Sequence, residues 1–244
     1  MEIKIFDKIK ELLVGEPELK FPRHIAISMR GIRSYSHKKN VPISEVYNKM
    51  FDVVKELIVF QLQSNIRIMS FFIMSESFKG LPEYTEIITP LAEFFSSVAK
   101  ELFLDENQVK VSVLGKWYDL PGKVVDPIKE IITETKDYDK FFLNFCINYD
   151  GKEEIVDACK LIARQVKAGK LDVESINKST IKDNIYSSYF LPPEIIVLVS
   201  ENKKNLGFLL WDSVGSEFYR IKSPVVEVNA KDILEIIKKY NKTK

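Results

Sequence analysis

The stretch MRGIRSYS, residues 29 to 36, follows a short β-rich run and sets two guanidinium groups, Arg30 and Arg33, around Gly31. A strand that passes the chain to a glycine and then to forked donors is one way to build a phosphate-binding turn, because glycine lets the backbone approach and arginine grips two oxygens at once. One glycine also serves any tight turn. Three other segments gather polar groups after β-rich runs: SESFKG (75 to 80) with Ser75 and Glu76, NYDGKEEI (148 to 155) and SENKKNLGFLLW (200 to 211). Glu217, in SEFY, is a carboxylate of the kind that holds a hard cation, but no second acidic ligand accompanies it. The chain has two histidines, too few for a three-histidine zinc site, and His24 at the head of a strand reads as a hydrogen-bonded structural group.

The elements that must position these groups alternate. HIAISM (24 to 29), RIMSFFIM (67 to 74), VKVSVLG (109 to 115), FFLNFCIN (141 to 148) and EIIVLVS (194 to 200) are short and rich in β-branched or aromatic residues. Between them, residues 43 to 63, 82 to 103, 121 to 135 and 151 to 169 repeat apolar residues at three- and four-residue steps, with proline near several starts and Gly169 at a stop. This alternation predicts βαβ units and a largely parallel α/β sheet, and the nearly continuous apolar strands fit a sheet covered on both faces. At the N-terminus, Ile5, Ile9, Leu12 and Leu13 share one helical face. Its polar face is mixed in sign, which favours packing on the domain over attachment to a membrane surface. Residues 1 to 22 are therefore an amphipathic helix and lead-in, and 23 to 244 form one domain. Leu171 to Pro193 is polar and irregular and reads as a surface excursion.

Composition narrows the classes of function. Thirty-six Lys and Arg stand against 35 Asp and Glu in 244 residues, so no long-range field gathers nucleic acid. Cys146 and Cys159 fall in apolar periodic segments, where reduced, buried thiols are common, and two cysteines make no disulfide framework. No apolar run reaches the ~18 residues of a spanning helix. A cytoplasmic location is expected, with peripheral membrane contact through the first helix left open.

Taken in order, the phrases that follow the strands resemble the cis-prenyltransferases, the undecaprenyl and dehydrodolichyl diphosphate synthase family. NYDGKEEIVDA (148 to 158) is similar to the family's N-Y-G-G-R-x-E-I-V-x-A, GFLLWDSVGSEFY (207 to 219) to its F-L-L-W-Q-x-x-Y-S-E-F-Y, and LGKWYDLP (114 to 121) to its I-G-D-x-x-x-L-P. HIAISMRGIRSYS stands where the family has a pattern like H-V-A-I-I-M-D-G-N-R-R-Y-A. The resemblance covers nearly the whole chain. It implies a six-stranded, mostly parallel sheet flanked by helices. It also implies a condensation of isopentenyl diphosphate onto an allylic diphosphate, with Mg²⁺ held by the Asp after the first strand and by substrate phosphates.

That Asp is Arg30 here. A like-charge contact at close range costs roughly 4 kcal/mol per pair of unit charges at an effective dielectric near 20, and Mg²⁺ carries two charges. Other family ligands are missing together. The Asn after Gly31 is Ile32, Ser34 replaces one arginine while Arg33 matches the other, and Tyr47 and Asn48 stand where a His and a base belong. SESFKG keeps Ser75 and Glu76 but has Ser77 for the family's Asn and Phe78 for its Trp. In VLVSENKKNLG, Leu198, Glu201, Lys204 and Leu206 replace an Arg, a Gly, an Arg and a Ser that bind isopentenyl diphosphate in the family.

Scaffold phrases stay and phosphate ligands go. The chain in this respect resembles the accessory subunits of heteromeric cis-prenyltransferases, of which the Nogo-B receptor is the eukaryotic example. Mg²⁺ is then expected in a catalytic homologue paired with this chain as heterodimer or heterotetramer, with none on this chain alone and Glu217 its one residual carboxylate. The R-x-G motif with which such subunits reach the partner's site has no counterpart in IIKKYNKTK. Two rival readings follow: a metal-independent prenyl diphosphate-binding protein using Arg30, Gly31 and Arg33, and an autonomous synthase with a modified site. In the resembling enzymes the helix that includes Leu91, Phe94 and Phe95 lines the tunnel for the prenyl chain; here these residues line such a cavity or fill it.

Overall fold

The computed structural model describes residues 2–14, 19–199 and 207–243. Six strands form one wholly parallel sheet in the order β3-β4-β2-β1-β5-β6: β1 His24–Met29, β2 Ile68–Ser75, β3 Val109–Leu114, β4 Phe141–Tyr149, β5 Ile195–Val199 and β6 Glu217–Ile221. The first five coincide with the β-rich runs to within a residue or two. The sixth falls on SEFY and the residues after it, where the alternation is weak because the strand lies at the sheet edge and is only partly buried.

Side chains alternate across the sheet and divide the core in two. Ile25, Ile27 and Met29 of β1, with Leu143, Phe145 and Ile147 of β4, face a thick helical layer. That layer contains α1 (Glu2–Leu13), α3 (Ile43–Gln63), α4 (Tyr84–Val98), α6 (Gly122–Glu134) and α9 (Ala230–Thr243). Ala26, Phe72, Phe142 and Cys146 face a thinner cover made by Phe190, Phe208 and Leu209 with Tyr186 at its margin. Burial of both faces is what a parallel sheet with helical crossovers requires.

The N-terminal stripe packs inward as the sequence predicted. Ile9 is fully buried, and Ile5, Phe6, Leu12 and Leu13 lie against the same core beside α3. Among the described residues no helix is long and apolar enough to cross a membrane.

Three expectations need correction. Residues 82 to 103 form not one helix but α4 and a short α5 (Leu102–Glu106), separated by a turn at residues 99 to 101. The excursion at 171 to 193 carries α8 (Lys178–Lys182) and buries Ile185, Ser187 and Phe190, so it is part of the sheet's cover. Cys146 is buried, but Cys159 is exposed. It sits on α7 (Gly151–Lys167), where Ala158 and Ile162 face inward while the flanking Val156 and Leu161 reach solvent. Neither α2 (Ile32–Lys39), which ends in the solvated Lys38 and Lys39, nor α9 was read from the sequence.

Gly151, at the start of α7, has no room for a side chain: a Cβ there would stand 2.0 Å from the Gly207 carbonyl oxygen and 2.9 Å from Leu210 Cβ. Both neighbours belong to the packed cover of the sheet. Gly151→Ala is expected to destabilise the fold by at least about 2 kcal/mol, read as a fall in the midpoint of urea unfolding. An unchanged midpoint would show that α7 and the 207 to 210 segment can separate freely.

Candidate functional site

In an open parallel sheet, ligands enter beyond the carboxyl ends of the strands where neighbouring connections diverge. Here β1 leads toward β2 on one side while its other neighbour, β5, leads to β6, so the divergence falls at the carboxyl ends of β1 and β5. Arg30 stands at that point. Gly31 adopts φ 88°, a left-handed conformation that reverses the chain into α2, and Tyr35 N–H closes the first helical turn on the Gly31 carbonyl at 2.9 Å. Burial lowers the pKa of the Arg30 guanidinium from its ordinary value, and it stays protonated.

Arg30 and Gly31 open on a cavity of about 640 Å³ together with Ser34, Tyr35, His37 and Lys38 of α2 and, from the opposite wall, Lys222, Ser223, Pro224 and Val225. Register explains the pairing of walls. Met29 is level with Val199, and Val199 with Ile221, so Lys222 leaves β6 at the height at which Arg30 leaves β1. The sequence signal for Lys222 was present as a basic residue just past a strand, but only recognition of β6 makes it visible. Arg33, by contrast, turns away from the cavity and pairs with Glu83 at 2.8 Å, which also lies 3.3 Å from His37 Nε2.

The remaining site candidates are dispersed. Ser75 accepts the Ser77 N–H at 3.3 Å and begins a 3₁₀ turn. Glu76 faces Lys116 at 3.8 Å, and the same ammonium meets Glu153 at 2.7 Å and Asp157 at 3.9 Å. Lys116 occupies the position of the acidic residue in the family's I-G-D phrase, so a tethered cation stands among three carboxylates near the ends of β2 and β4 and pairs most closely with Glu153. Its pKa is raised, chiefly by the hydrogen bond to Glu153. Glu217 begins β6, level with Ile195 and Ile25, about 13 Å down the sheet from the rim at 3.3 Å per residue. There it accepts the Tyr219 hydroxyl at 2.6 Å and approaches Thr243. Arg30 and Glu217 of one chain therefore do not meet.

The donors at the rim do not fit a divalent cation, because a guanidinium holds the decisive position. Among the described residues no three His, Cys, Asp or Glu side chains converge to hold a metal ion. Leu198 is buried at the carboxyl end of β5, whereas Glu201, Lys204 and Leu206 lie outside the described residues. Tyr47 is fully buried, and its hydroxyl reaches the Ile73 carbonyl at 3.5 Å. Leu91, Phe94 and Phe95 are buried too, with Phe94 stacked on Phe51 at 4.1 Å and both phenylalanines edge-on to Phe145.

The phrases most similar to the family make contact beneath the rim. Asp150 caps α7 by accepting the Lys152 N–H at 2.7 Å. Glu154 is buried and accepts from the Tyr149 hydroxyl and from Ser187 N–H, and burial raises its pKa. Ser187 Oγ donates to Asp212 at 2.7 Å, and Lys182 pairs with the same carboxylate at 2.6 Å. His24 is bonded through both ring nitrogens, to the Leu191 carbonyl at 2.6 Å and to Ser70 Oγ at 2.8 Å.

Burial lowers the His24 pKa to about 4. The unfolded chain consequently takes up this proton first as the pH falls. The imidazole's contribution is intact above pH ~6.5 and is lost progressively down to pH ~4, on the order of 3 kcal/mol in total. Thermal unfolding across this window should show a loss of stability on acidification that His24→Gln reduces. Parallel wild-type and variant curves would remove His24 as the responsible group.

Comparison with known proteins agrees with this architecture. The family model described as putative undecaprenyl diphosphate synthase matches residues 28–244. The geranylgeranyl-diphosphate-specific tritrans,polycis-undecaprenyl-diphosphate synthase of Thermoplasma volcanium is 31% identical over 98% of this chain and 94% of its own. The isoprenyl transferase of Thermotoga maritima is 29% identical over 92% and 95%. Among solved structures, lavandulyl diphosphate synthase from Lavandula x intermedia, in complex with dimethylallyl diphosphate, superposes with a TM-score of 0.85 at 22% identity, over 90% of this chain and 94% of that one. A probable undecaprenyl diphosphate synthase from Campylobacter jejuni gives 0.72 at 21% identity, over 91% and 96%. With its parallel sheet, its ordered phrases and a family match running from the first strand to the end, this chain belongs to the undecaprenyl diphosphate synthase family of prenyltransferases.

Proposed function

We propose that this chain is a catalytically degenerate member of the family that serves as an accessory subunit of a heteromeric polyprenyl diphosphate synthase, supplying a glycosyl-carrier lipid. The observation that carries the reading is Arg30 at the carboxyl end of β1, where the resembling enzymes place the metal-binding Asp. Mg²⁺ and the condensation belong to the catalytic homologue. The chain's own contribution is a folded scaffold and a surface for that partner.

Edge strand β6 is the surface that fits. Val214 and Phe218 are 90% and 48% exposed on and beside it, an unusual placement for apolar side chains at the end of a well-packed sheet. A partner of the same fold would cover them. Sheet edges with exposed apolar residues otherwise invite uncontrolled association.

The isolated chain is expected to form no polyprenyl product from isopentenyl and geranylgeranyl diphosphates with Mg²⁺. Co-expression with a homologue from the same organism that keeps D-G-N-R-R should yield a complex with product-forming activity. Val214→Asp with Phe218→Asp should weaken that complex at least tenfold, measured by sedimentation, while leaving far-UV dichroism unchanged. Turnover by the single chain would overturn the proposal.

A further inference from the structure

The amino ends of the strands, opposite the rim, carry an ordered set of charges of their own. Arg23 precedes β1, Arg67 precedes β2, Lys140 precedes β4, and Lys110 is the second residue of β3. These four strands are neighbours in the sheet. Register brings the cations to one height. His24, Ile68 and Phe142 are level, and Phe142 is level with Lys110, so Arg23 stands beside Arg67 with Lys110 one residue above that row and Lys140 one below. The backbone positions therefore lie within about 3.3 Å of one level and cross three strand spacings, roughly 14 Å.

Aromatic rings are set among them. The Arg67 guanidinium lies 5.6 Å from the Phe142 ring centroid, the Lys110 ammonium 5.1 Å from Tyr189, and the Lys140 ammonium 5.4 Å from Phe141. Acids are interspersed: Glu194 lies 3.7 Å from Arg23, Asp105 accepts the Tyr138 hydroxyl, and Asp139 joins Arg67 and Lys140 around a cavity of about 570 Å³. Beside this row the loop entering β5 projects apolar groups. Tyr189 is 66% and Leu191 47% exposed, and Pro192 follows them into solvent. Their exposure is fixed by the backbone, because Phe190 between them is buried against Phe142 and the Leu191 carbonyl is bonded to the His24 ring at 2.6 Å. The apolar stripe of α1, by contrast, is spent on the core.

We infer that this end of the sheet docks on an anionic lipid bilayer, with Arg67, Lys110 and Lys140 at the phosphates and Tyr189 and Leu191 entering the headgroup layer. A level row of cations complements a plane of phosphates, whereas a single anion calls for donors gathered about one point. Tyrosine suits that boundary, since its ring is apolar and its hydroxyl stays wet. This orientation leaves the opposite rim facing water. The inference goes beyond the accessory role and stands without it.

Co-sedimentation of the full chain with vesicles of one-third phosphatidylglycerol in phosphatidylcholine tests it. Binding is expected to these vesicles, to fall as salt is raised from about 0.05 to about 0.5 M, and to be absent with phosphatidylcholine alone. Arg67→Gln and Lys140→Gln, both at exposed positions, should each weaken binding about fivefold with unaltered thermal unfolding. Tyr189→Ser with Leu191→Ser should weaken it by a similar factor, and Lys152→Gln with Lys167→Gln, on the exposed face of α7, should leave it unchanged. No binding, equal binding to both vesicles, or loss through the α7 pair alone would overturn the surface. So would displacement by millimolar inorganic phosphate at constant ionic strength, which would mark a small-anion site, or retention only in the presence of a catalytic homologue, which would assign the contact to that protein.

Discussion

A parallel sheet buried on both faces can do chemistry only where its strands end, so the sign of the charges planted along one rim governs what this molecule can hold. Helical crossovers cover the strand faces and carry the rim groups on turns at the carboxyl ends. In this chain the rim has two parts of opposite character. At the ends of β2, β3 and β4, Lys116 lies among Glu76, Glu153 and Asp157 and offsets part of their charge. At the ends of β1 and β6, Arg30 and Lys222 face a common cavity with His37 and Lys38. The two parts present different surfaces: in one a tethered ammonium meets carboxylates, and in the other the wall itself is positive.

Scaffold and site are physically separable in this architecture. The phrases NYDGKEEI and GFLLWDSV meet beneath the rim, where Gly151 packs on the Gly207 carbonyl and Ser187 links Glu154 to Asp212. These contacts are buried, and removing one partner would leave a polar group without its bond, at a cost of about 1–3 kcal/mol each. The rim side chains carry no comparable structural penalty, because Lys38 and Lys222 are exposed. A chain can therefore exchange its phosphate ligands while its packing phrases persist, which is the pattern that separates this protein's scaffold from its altered site.

The thick side of the sheet is organised by aromatic contact. Phe51, Phe94, Phe95 and Phe145 form a continuous set of stacked and edge-to-face rings between α3, α4 and β4, and Tyr47 extends it toward Phe78. Such pairs stabilise beyond their buried area and specify ring orientation. The thin side has ring contacts of its own, with Phe72 stacked on Phe208 and Phe142 meeting Phe190, and adds polar links: His24, Ser70 and Asn144 bond across three adjacent strands. The buried His24 lies on this thin face, so acid is expected to act there first.

Much of this was legible in the sequence. Alternation of β-branched runs with helical periods gave five strands and the parallel sheet, and the sign reversal at Arg30 needed no coordinates. Strand β6 was concealed because an edge strand loses the apolar alternation that burial imposes, and with it went Lys222. Cys159 was misplaced because periodicity marks an apolar face without saying how much of it a neighbour covers. Only the tertiary structure could bring Lys222 opposite Arg30 across some 190 residues of chain, put Glu217 at the other end of the same sheet, and surround Lys116 with acids. Local pattern reports what each segment needs to bury. Which charges then face one another depends on strand order and register, and those are decided by the whole chain at once.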